Sequence, residues 1–295
     1  GDHTSLYAQG YFAYDSKKSG GITISHLRFG KTPIKSTYLV NHPNFVACSV
    51  PSYLGKYDML AGIKKNGTFL LNSIWSAEET VKHLPNSMKK VMAEKNINFY
   101  IINATKLAQD LGLGTRTNTI MQSAFFKLSN VLPYEEAVKF MKDAIVKSYG
   151  KKGEEIVKMN NSAVDAGADA LVKVEVSADW ANLAEEKSCA TSCDCGCTTC
   201  DSSTDKTMAD FIEKIVNPIN AQKGDSLPVS AFADMPDGTF PNGTSAYEKR
   251  GIAVNVPEWQ CDNCIQCNQC AYVCPHAVVR PFLMTEEELK NAPEG

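Results

Sequence analysis

The chain has 295 residues, of which 43% are hydrophobic and 21% are charged, and its net charge is −3. This is an ordinary globular composition, and the length exceeds the ~150 residues of one typical domain. No apolar run approaches the ~20 residues that span a bilayer, and the first twenty residues lack the apolar core of a signal peptide. Only four of the 30 basic residues are Arg. We therefore expect no membrane span, no secretion and no nucleic-acid partner, and we predict a cytoplasmic location.

The first 178 residues alternate apolar strands with amphipathic helices, which predicts an α/β domain with a largely parallel sheet. Ser76 and Glu79 have the spacing of a capping box, so a helix should begin there. The predicted strands are 22–29, 38–40 with 45–50, 68–75, 98–103 and 171–176. The predicted helices run from 76 to 94 with a break at Pro85, then over 106–111 and 119–132, onward from Pro133, and over 152–168.

The pattern changes after Trp180. Ten of the eleven cysteines lie between Cys189 and Cys274. Five of them, in residues 189–200, stand among Ser, Thr and Asp, which suits either a reduced linker or a site for a soft metal. A helix should follow over 208–216 and end at Pro218, then an irregular stretch over 219–250 and a strand over 252–256.

The strongest chemical signal is the run Cys264-x2-Cys267-x2-Cys270-x3-Cys274-Pro275. This is the spacing with which bacterial ferredoxins bind [4Fe–4S] clusters. Three thiolates ligate one cluster, and the fourth ligates a neighbouring cluster. A zinc site is the alternative, but zinc sites normally use two paired C-x2-C arms separated by a longer loop. Cys261 precedes the run by three residues and could serve as a makeshift cluster ligand, but we interpret it as an incidental thiol.

Two clusters need a second cysteine run, and none follows Cys274 in this sequence. The chain also begins at Gly1 rather than at Met. We therefore expect a piece of a longer protein, in which Cys264, Cys267 and Cys270 serve one cluster and Cys274 another. In the 295-residue chain itself we expect no stable cluster.

Three ordered signatures resemble the pyruvate:ferredoxin (flavodoxin) oxidoreductase family. The first is its gamma domain, in residues 11–31 and again in 103–105 and 116–122. The second is its small Glu-Lys-Arg module, in 238–241 and 245–250, and the third is the ferredoxin-type run. The resemblance implies four regions: a three-layer gamma domain over 1–180, a Cys-rich linker over 181–206, the Glu-Lys-Arg module over 207–256 and a partial 4Fe–4S ferredoxin-type domain over 257–295.

The resemblance also implies a reaction, in which pyruvate and coenzyme A give acetyl-CoA, carbon dioxide and electrons for ferredoxin or flavodoxin. Thiamine diphosphate with magnesium would be bound by domains outside this chain, because no G-D-G…N motif occurs here. The piece alone should be inactive, and the parent is expected to be a homodimer. The alternatives are a sister enzyme for another 2-oxo acid and an electron-transfer or metal-binding module without catalysis.

The gamma domain of this family is implicated in coenzyme A contact. Two Lys ammonium groups on a glycine turn can approach a pyrophosphate, with free amides completing the cradle. The resemblance therefore points to a coenzyme A site that comprises Ser16, Lys17, Lys18, Ser19, Gly20 and, as a weaker candidate, Asn118. A solvated turn is the alternative for the lysines. We expect packing or interdomain pairing for His26 and Arg28.

Overall fold

The computed structural model describes residues 4–15, 21–37, 39–184, 206–248 and 257–291. The chain divides into two compact units, Gly1–Ser188 and Cys189–Gly295, and each is described by itself.

The first unit opens with an antiparallel hairpin of strands β1 (Tyr7–Tyr14) and β2 (Thr23–Gly30). The sequence predicts β2 but not β1, in which Ala8, Gln9, Gly10 and Ala13 weaken the strand pattern. The hairpin forms a two-stranded sheet of its own among the described residues. Because an isolated hairpin is marginal in water, its packing has to come from elsewhere.

The central sheet has the order β3-β4-β5-β6. Strands β3 (Phe45–Cys48), β4 (Thr68–Asn72) and β5 (Asn98–Ile102) are parallel. The short edge strand β6 (Val172–Val174) is antiparallel to β5. A largely parallel α/β sheet is therefore confirmed, with an antiparallel edge that the sequence pattern does not predict.

Six α-helices of the described first unit surround the sheet in three layers, and five of them lie against it. The six are α1 (Ala77–His83), α2 (Asn86–Glu94), α3 (Ala104–Asp110), α4 (Asn118–Ser129), α5 (Tyr134–Tyr149) and α6 (Glu154–Asp169). Alternate residues of β4 face opposite layers: Phe69 and Leu71 pack with α2, whereas Leu70 packs with α3, α4 and α6. Helix α5 packs on α6 through Met141, Ile145 and Val164.

The predicted start and break of the first helical segment are confirmed. The Ser76 hydroxyl accepts the Glu79 amide at 3.2 Å, and a Glu79 carboxylate oxygen accepts the Ser76 amide at 3.2 Å. Pro85 separates α1 from α2. A capping interaction of this kind contributes about 1 kcal/mol.

A buried amide fixes the carboxyl end of β4. Asn72 is 2% exposed. Its Nδ2 donates to the Ser49 carbonyl at 3.0 Å and to Thr105 Oγ1 at 3.1 Å, while its Oδ1 accepts the Ala104 amide at 3.0 Å. One side chain thus connects the end of β3, the end of β4 and the start of α3.

The second unit contains α7 (Lys206–Phe211), a π-helical stretch over Ile212–Val216 and α8 (Asn217–Asn220). The prediction that the helix ends at Pro218 is wrong, because helical structure continues to Asn220. The π turn explains this: the Asn217 amide donates five residues back to the Ile212 carbonyl. The wider turn makes room for the proline ring, which would clash with a carbonyl in a regular α-helix.

Two further helices are short: α9 (Gln269–Val273) and α10 (Glu286–Lys290). The strand predicted at 252–256 and the cysteines of 189–200 lie outside the described residues.

Helices α4 and α6 approach closely at Gly167, which is buried. A Cβ at this position would lie 2.6 Å from the Ile120 carbonyl oxygen. We predict that Gly167→Ala lowers the free energy of unfolding by about 1–3 kcal/mol, because backbone must move apart to admit the methyl group. Chemical denaturation followed by far-UV circular dichroism measures the change.

Gly150→Ala is the matched control. Gly150 is exposed, has helical backbone angles, and nothing lies within 4 Å of a Cβ there. Its substitution should leave stability unchanged or raise it by about 0.4–1 kcal/mol. Equal losses for the two variants would contradict the assigned helix contact.

Candidate functional site

The cysteine run of the second unit lies on a tightly coiled loop. A single turn of 3-10 helix at Cys261–Asn263 leads into it, and α9 contains Cys270 and ends directly before Cys274. Gln266 and Asn268 have positive φ angles of 56° and 57°. Asn adopts this left-handed conformation more readily than Gln does, and here the two residues bend the chain twice within four residues.

The run presents its thiols on the outside of the described unit. Cys264, Cys267 and Cys270 are exposed, Cys274 is half-buried, and all four are free. Among the described residues, no three His, Cys, Asp or Glu side chains lie close enough to share one metal ion. A four-iron cluster binds each thiolate to a different iron, so its ligands do not converge on a single point.

Backbone amides donate hydrogen bonds to two of these sulfurs. The pKa of the Cys264 thiol is lowered, chiefly by a hydrogen bond from the Gln266 amide and next by the Trp259 side chain. The pKa of Cys274 is lowered by the amides of Val279 and Val278, and the Val278 amide donates to its sulfur at 3.2 Å. Thiolates with amide donors are the ligand chemistry of iron–sulfur clusters, so these residues fit the group that the spacing predicts.

The remaining cysteines that the structure describes differ from this set. Cys48 is buried at the end of β3, and its thiol donates to the Val50 carbonyl at 3.1 Å. Burial raises its pKa to about 11, so it stays protonated and unreactive at neutral pH. Cys261 is exposed in the preceding turn, and its interpretation as an incidental thiol stays a prediction.

The predicted coenzyme A residues Ser16, Lys17, Lys18, Ser19 and Gly20 lie outside the described residues. Their two flanks are described. The Asp15 amide donates to the Ile22 carbonyl at 3.0 Å, and the Tyr53 hydroxyl donates to the Gly21 carbonyl at 2.9 Å. The predicted phosphate turn is therefore the connection between β1 and β2, and both of its ends are fixed by hydrogen bonds.

Asn118, the weaker candidate, is the first residue of α4 and is exposed. It lines a cavity of about 290 Å³ between α4 and α5, together with Thr119 and Gln122. Phe126 and Met141 contribute apolar walls to this cavity. Asn118 is thus accessible beside a concave surface, which is compatible with ligand contact.

His26 and Arg28 form hydrogen bonds within their own unit. The Val40 amide donates to His26 Nδ1 at 3.2 Å, and Arg28 Nη2 donates to the Ser36 carbonyl at 3.0 Å. These contacts attach β2 to the chain that follows it.

A second cavity lies at the carboxyl ends of β4 and β5, and none of its residues is among the predicted site residues. It has a volume of about 340 Å³ and includes Ser73, Trp75, Asn103 and Lys106 in its lining. Ligands of open α/β sheets often bind at the carboxyl edge of the strands. The residues that directly follow predicted parallel strands could therefore have identified this cavity from the sequence. The Ser73 hydroxyl is already hydrogen-bonded to Thr80 at 2.8 Å, and Lys106 pairs with Asp110 at 2.6 Å.

No helix in the described part of the chain has the length and apolarity needed to cross a membrane.

Comparison with known proteins covers both units. Residues 1–170 match the family described as pyruvate ferredoxin/flavodoxin oxidoreductase, and residues 200–253 match EKR, a domain of unknown function. The chain is 55% identical over its full length to the pyruvate:ferredoxin oxidoreductase of Moorella thermoacetica. It is 54% identical, again over its full length, to the pyruvate-flavodoxin oxidoreductase of Enterobacter agglomerans.

The chain covers 24% of each of these two relatives, so it spans about a quarter of their length. Among solved structures, the pyruvate oxidoreductase subunit PORC of Thermotoga maritima aligns at 18% identity with a TM-score of 0.45, over 58% of this chain and 83% of that one. Since the family match extends over more than half of the residues, the chain belongs to the pyruvate ferredoxin/flavodoxin oxidoreductase family.

Proposed function

We propose that this chain is part of a pyruvate:ferredoxin oxidoreductase. The longer enzyme would convert pyruvate and coenzyme A into acetyl-CoA and carbon dioxide, and would pass the two electrons to ferredoxin or flavodoxin. The observation that carries the proposal is the 55% identity, over the whole chain, to a relative with that name. A cytoplasmic location is part of this proposal.

Within that enzyme, the segment after Trp259 would contribute to electron transfer. A [4Fe–4S] cluster, when bound, accepts and donates single electrons. Cys264, Cys267 and Cys270 would hold one such cluster, and Cys274 would be a ligand of its neighbour. The amides of Gln266 and Val278 would stabilise the negative sulfurs by hydrogen bonding.

The first unit would contribute to coenzyme A binding through the connection between β1 and β2. Its phosphate contacts would come from Lys17 and Lys18, with Asn118 as a further candidate. Thiamine diphosphate with magnesium would be bound by other parts of the longer polypeptide, whose homodimeric assembly also stays a prediction.

The proposed function is tested on the longer polypeptide, purified without oxygen. We expect it to reduce methyl viologen when pyruvate and coenzyme A are both present, and we expect the 295-residue chain alone to be silent. Dye reduction is followed by absorbance with a panel of 2-oxo acids. If the enzyme prefers another 2-oxo acid, that acid rather than pyruvate is the substrate. Dye reduction by the 295-residue chain alone would contradict the assignment of thiamine diphosphate to other parts of the polypeptide.

The coenzyme A role is tested by the double variant Lys17→Ala/Lys18→Ala in the longer polypeptide. Loss of two charge-assisted contacts at about 1.5–3 kcal/mol each should raise KM for coenzyme A at least about a hundredfold, with little effect on KM for pyruvate. Steady-state kinetics gives both constants.

The matched control is Lys64→Ala/Lys65→Ala. It removes the same dipeptide from an exposed turn elsewhere in the first unit and should leave KM for coenzyme A unchanged. If both pairs raise KM equally, general charge attraction rather than a specific site explains the effect.

The division of the cluster ligands is tested by Cys270→Ser and Cys274→Ser in the longer polypeptide. Because the last cysteine of such a run ligates the other cluster, the two variants should each impair a different cluster signal. Electron paramagnetic resonance of the reduced protein distinguishes the signals. Damage to the same single cluster by both variants would show that the ligand assignment is wrong.

A further inference from the structure

The β1–β2 hairpin has two faces of different chemistry. Directly paired residues of an antiparallel hairpin share a face, so the register assigns every side chain. One face, here called the tied face, has the pairs Tyr7 with Gly30, Gln9 with Arg28, Tyr11 with His26 and Ala13 with Ile24. The other, here called the open face, has Ala8 with Phe29, Gly10 with Leu27, Phe12 with Ser25 and Tyr14 with Thr23.

The tied face is attached to the chain that follows the hairpin. Gln9 Nε2 donates to the Ser36 carbonyl at 2.9 Å, and Arg28 Nη2 donates to the same carbonyl at 3.0 Å. The Val40 amide donates to His26 Nδ1. These hydrogen bonds attach the tied face to the chain that follows β2, while its Tyr11 and Ile24 remain 48% and 41% exposed.

The open face has no charged residue among its eight positions. Its large side chains are exposed: Tyr14 at 75%, Phe12 at 52%, Leu27 at 48% and Phe29 at 37%. Gly10 lies beside Leu27 and leaves the middle of the face flat. A contiguous, uncharged aromatic surface of this kind is unusual on a monomeric protein and marks a contact surface.

The open face is also held in a fixed position. At one end the Phe29 ring lies 6.1 Å from the Phe125 ring of α4, which in turn contacts Phe45 of β3 at 5.1 Å. At the other end the Tyr53 hydroxyl is bonded to the Gly21 carbonyl. A surface held in place before binding loses little conformational entropy when a partner docks.

We propose that the open face is a permanent interface with another domain of the same longer polypeptide, whose contacting surface is apolar and uncharged. The inference rests on the proposed function only in requiring that longer polypeptide. The chain spans about a quarter of the length of its relatives, so most of their polypeptide is available to cover the face. Permanent interfaces are more apolar than transient ones, and their buried centres are depleted in charge, as this face is.

The first test is hydroxyl-radical footprinting of the longer polypeptide, read by mass spectrometry. Phe12 and Tyr14 report on the open face, and Tyr7, which is 47% exposed, reports on the tied face. We expect oxidation of Phe12 and Tyr14 to fall at least about fivefold relative to the 295-residue chain, because the centre of an interface excludes water. Oxidation of Tyr7 should change little.

The second test compares Phe12→Lys with Tyr7→Lys in both proteins. In the 295-residue chain both side chains are exposed, so neither variant should shift the melting temperature. In the longer polypeptide Phe12→Lys should lower the melting temperature and open new sites to limited proteolysis, while Tyr7→Lys should do neither.

Two outcomes would overturn the inference. One is equal oxidation of Phe12 in both proteins. The other is a dimer of the 295-residue chain that the Phe12→Lys substitution dissociates, since a second copy of the chain would then cover the open face. Neither measurement depends on activity: protection without pyruvate oxidation would refute the proposed function alone, and pyruvate oxidation without protection would refute the interface alone.

Discussion

The hydrogen bonds of the Asn72 amide are the constraint on which the first unit depends. This side chain uses both of its donors and accepts the amide that opens α3, so β3, β4 and the start of α3 are joined at one point. With 2% exposure, the amide could not be left unpaired without a penalty of about 1–3 kcal/mol for each lost partner. These bonds fix the carboxyl ends of β3 and β4 relative to the start of α3.

The sequence predicts most of the first unit because its elements have a strong hydrophobic period. Strands β4 and β5 are apolar on both faces, as buried parallel strands must be, and Ser76 with Glu79 predicts the start of α1 locally. The weaker elements are missed or misjudged. Strand β1 contains Gly and Ala at exposed positions, and the direction of the three-residue β6 depends on long-range pairing. Pro218 lies within helical structure because a π turn precedes it, and local sequence rules do not predict such a turn.

The cysteine run can be predicted from the sequence more fully than the coenzyme A site. The cysteine run is predicted by spacing alone, because cluster chemistry requires thiols at fixed intervals. The amides that lower the pKa of Cys264 and Cys274 depend on left-handed residues such as Gln266, which spacing does not show. The coenzyme A candidates rest on resemblance, since Lys17 and Lys18 carry no pattern that distinguishes them from Lys64 and Lys65.

The lengths of the strands also affect how the chain behaves in solution. The edge strands of the central sheet, β3 and β6, have four and three residues, too few to template pairing with a neighbouring molecule. The hairpin strands have eight residues each, and neither pairs further within the described part of the chain. Exposed backbone along an eight-residue strand, next to aromatic side chains, is where edge-to-edge aggregation begins. Charged substitutions on β1 or β2 are therefore the appropriate means of keeping this chain dispersed when it is produced without its neighbours.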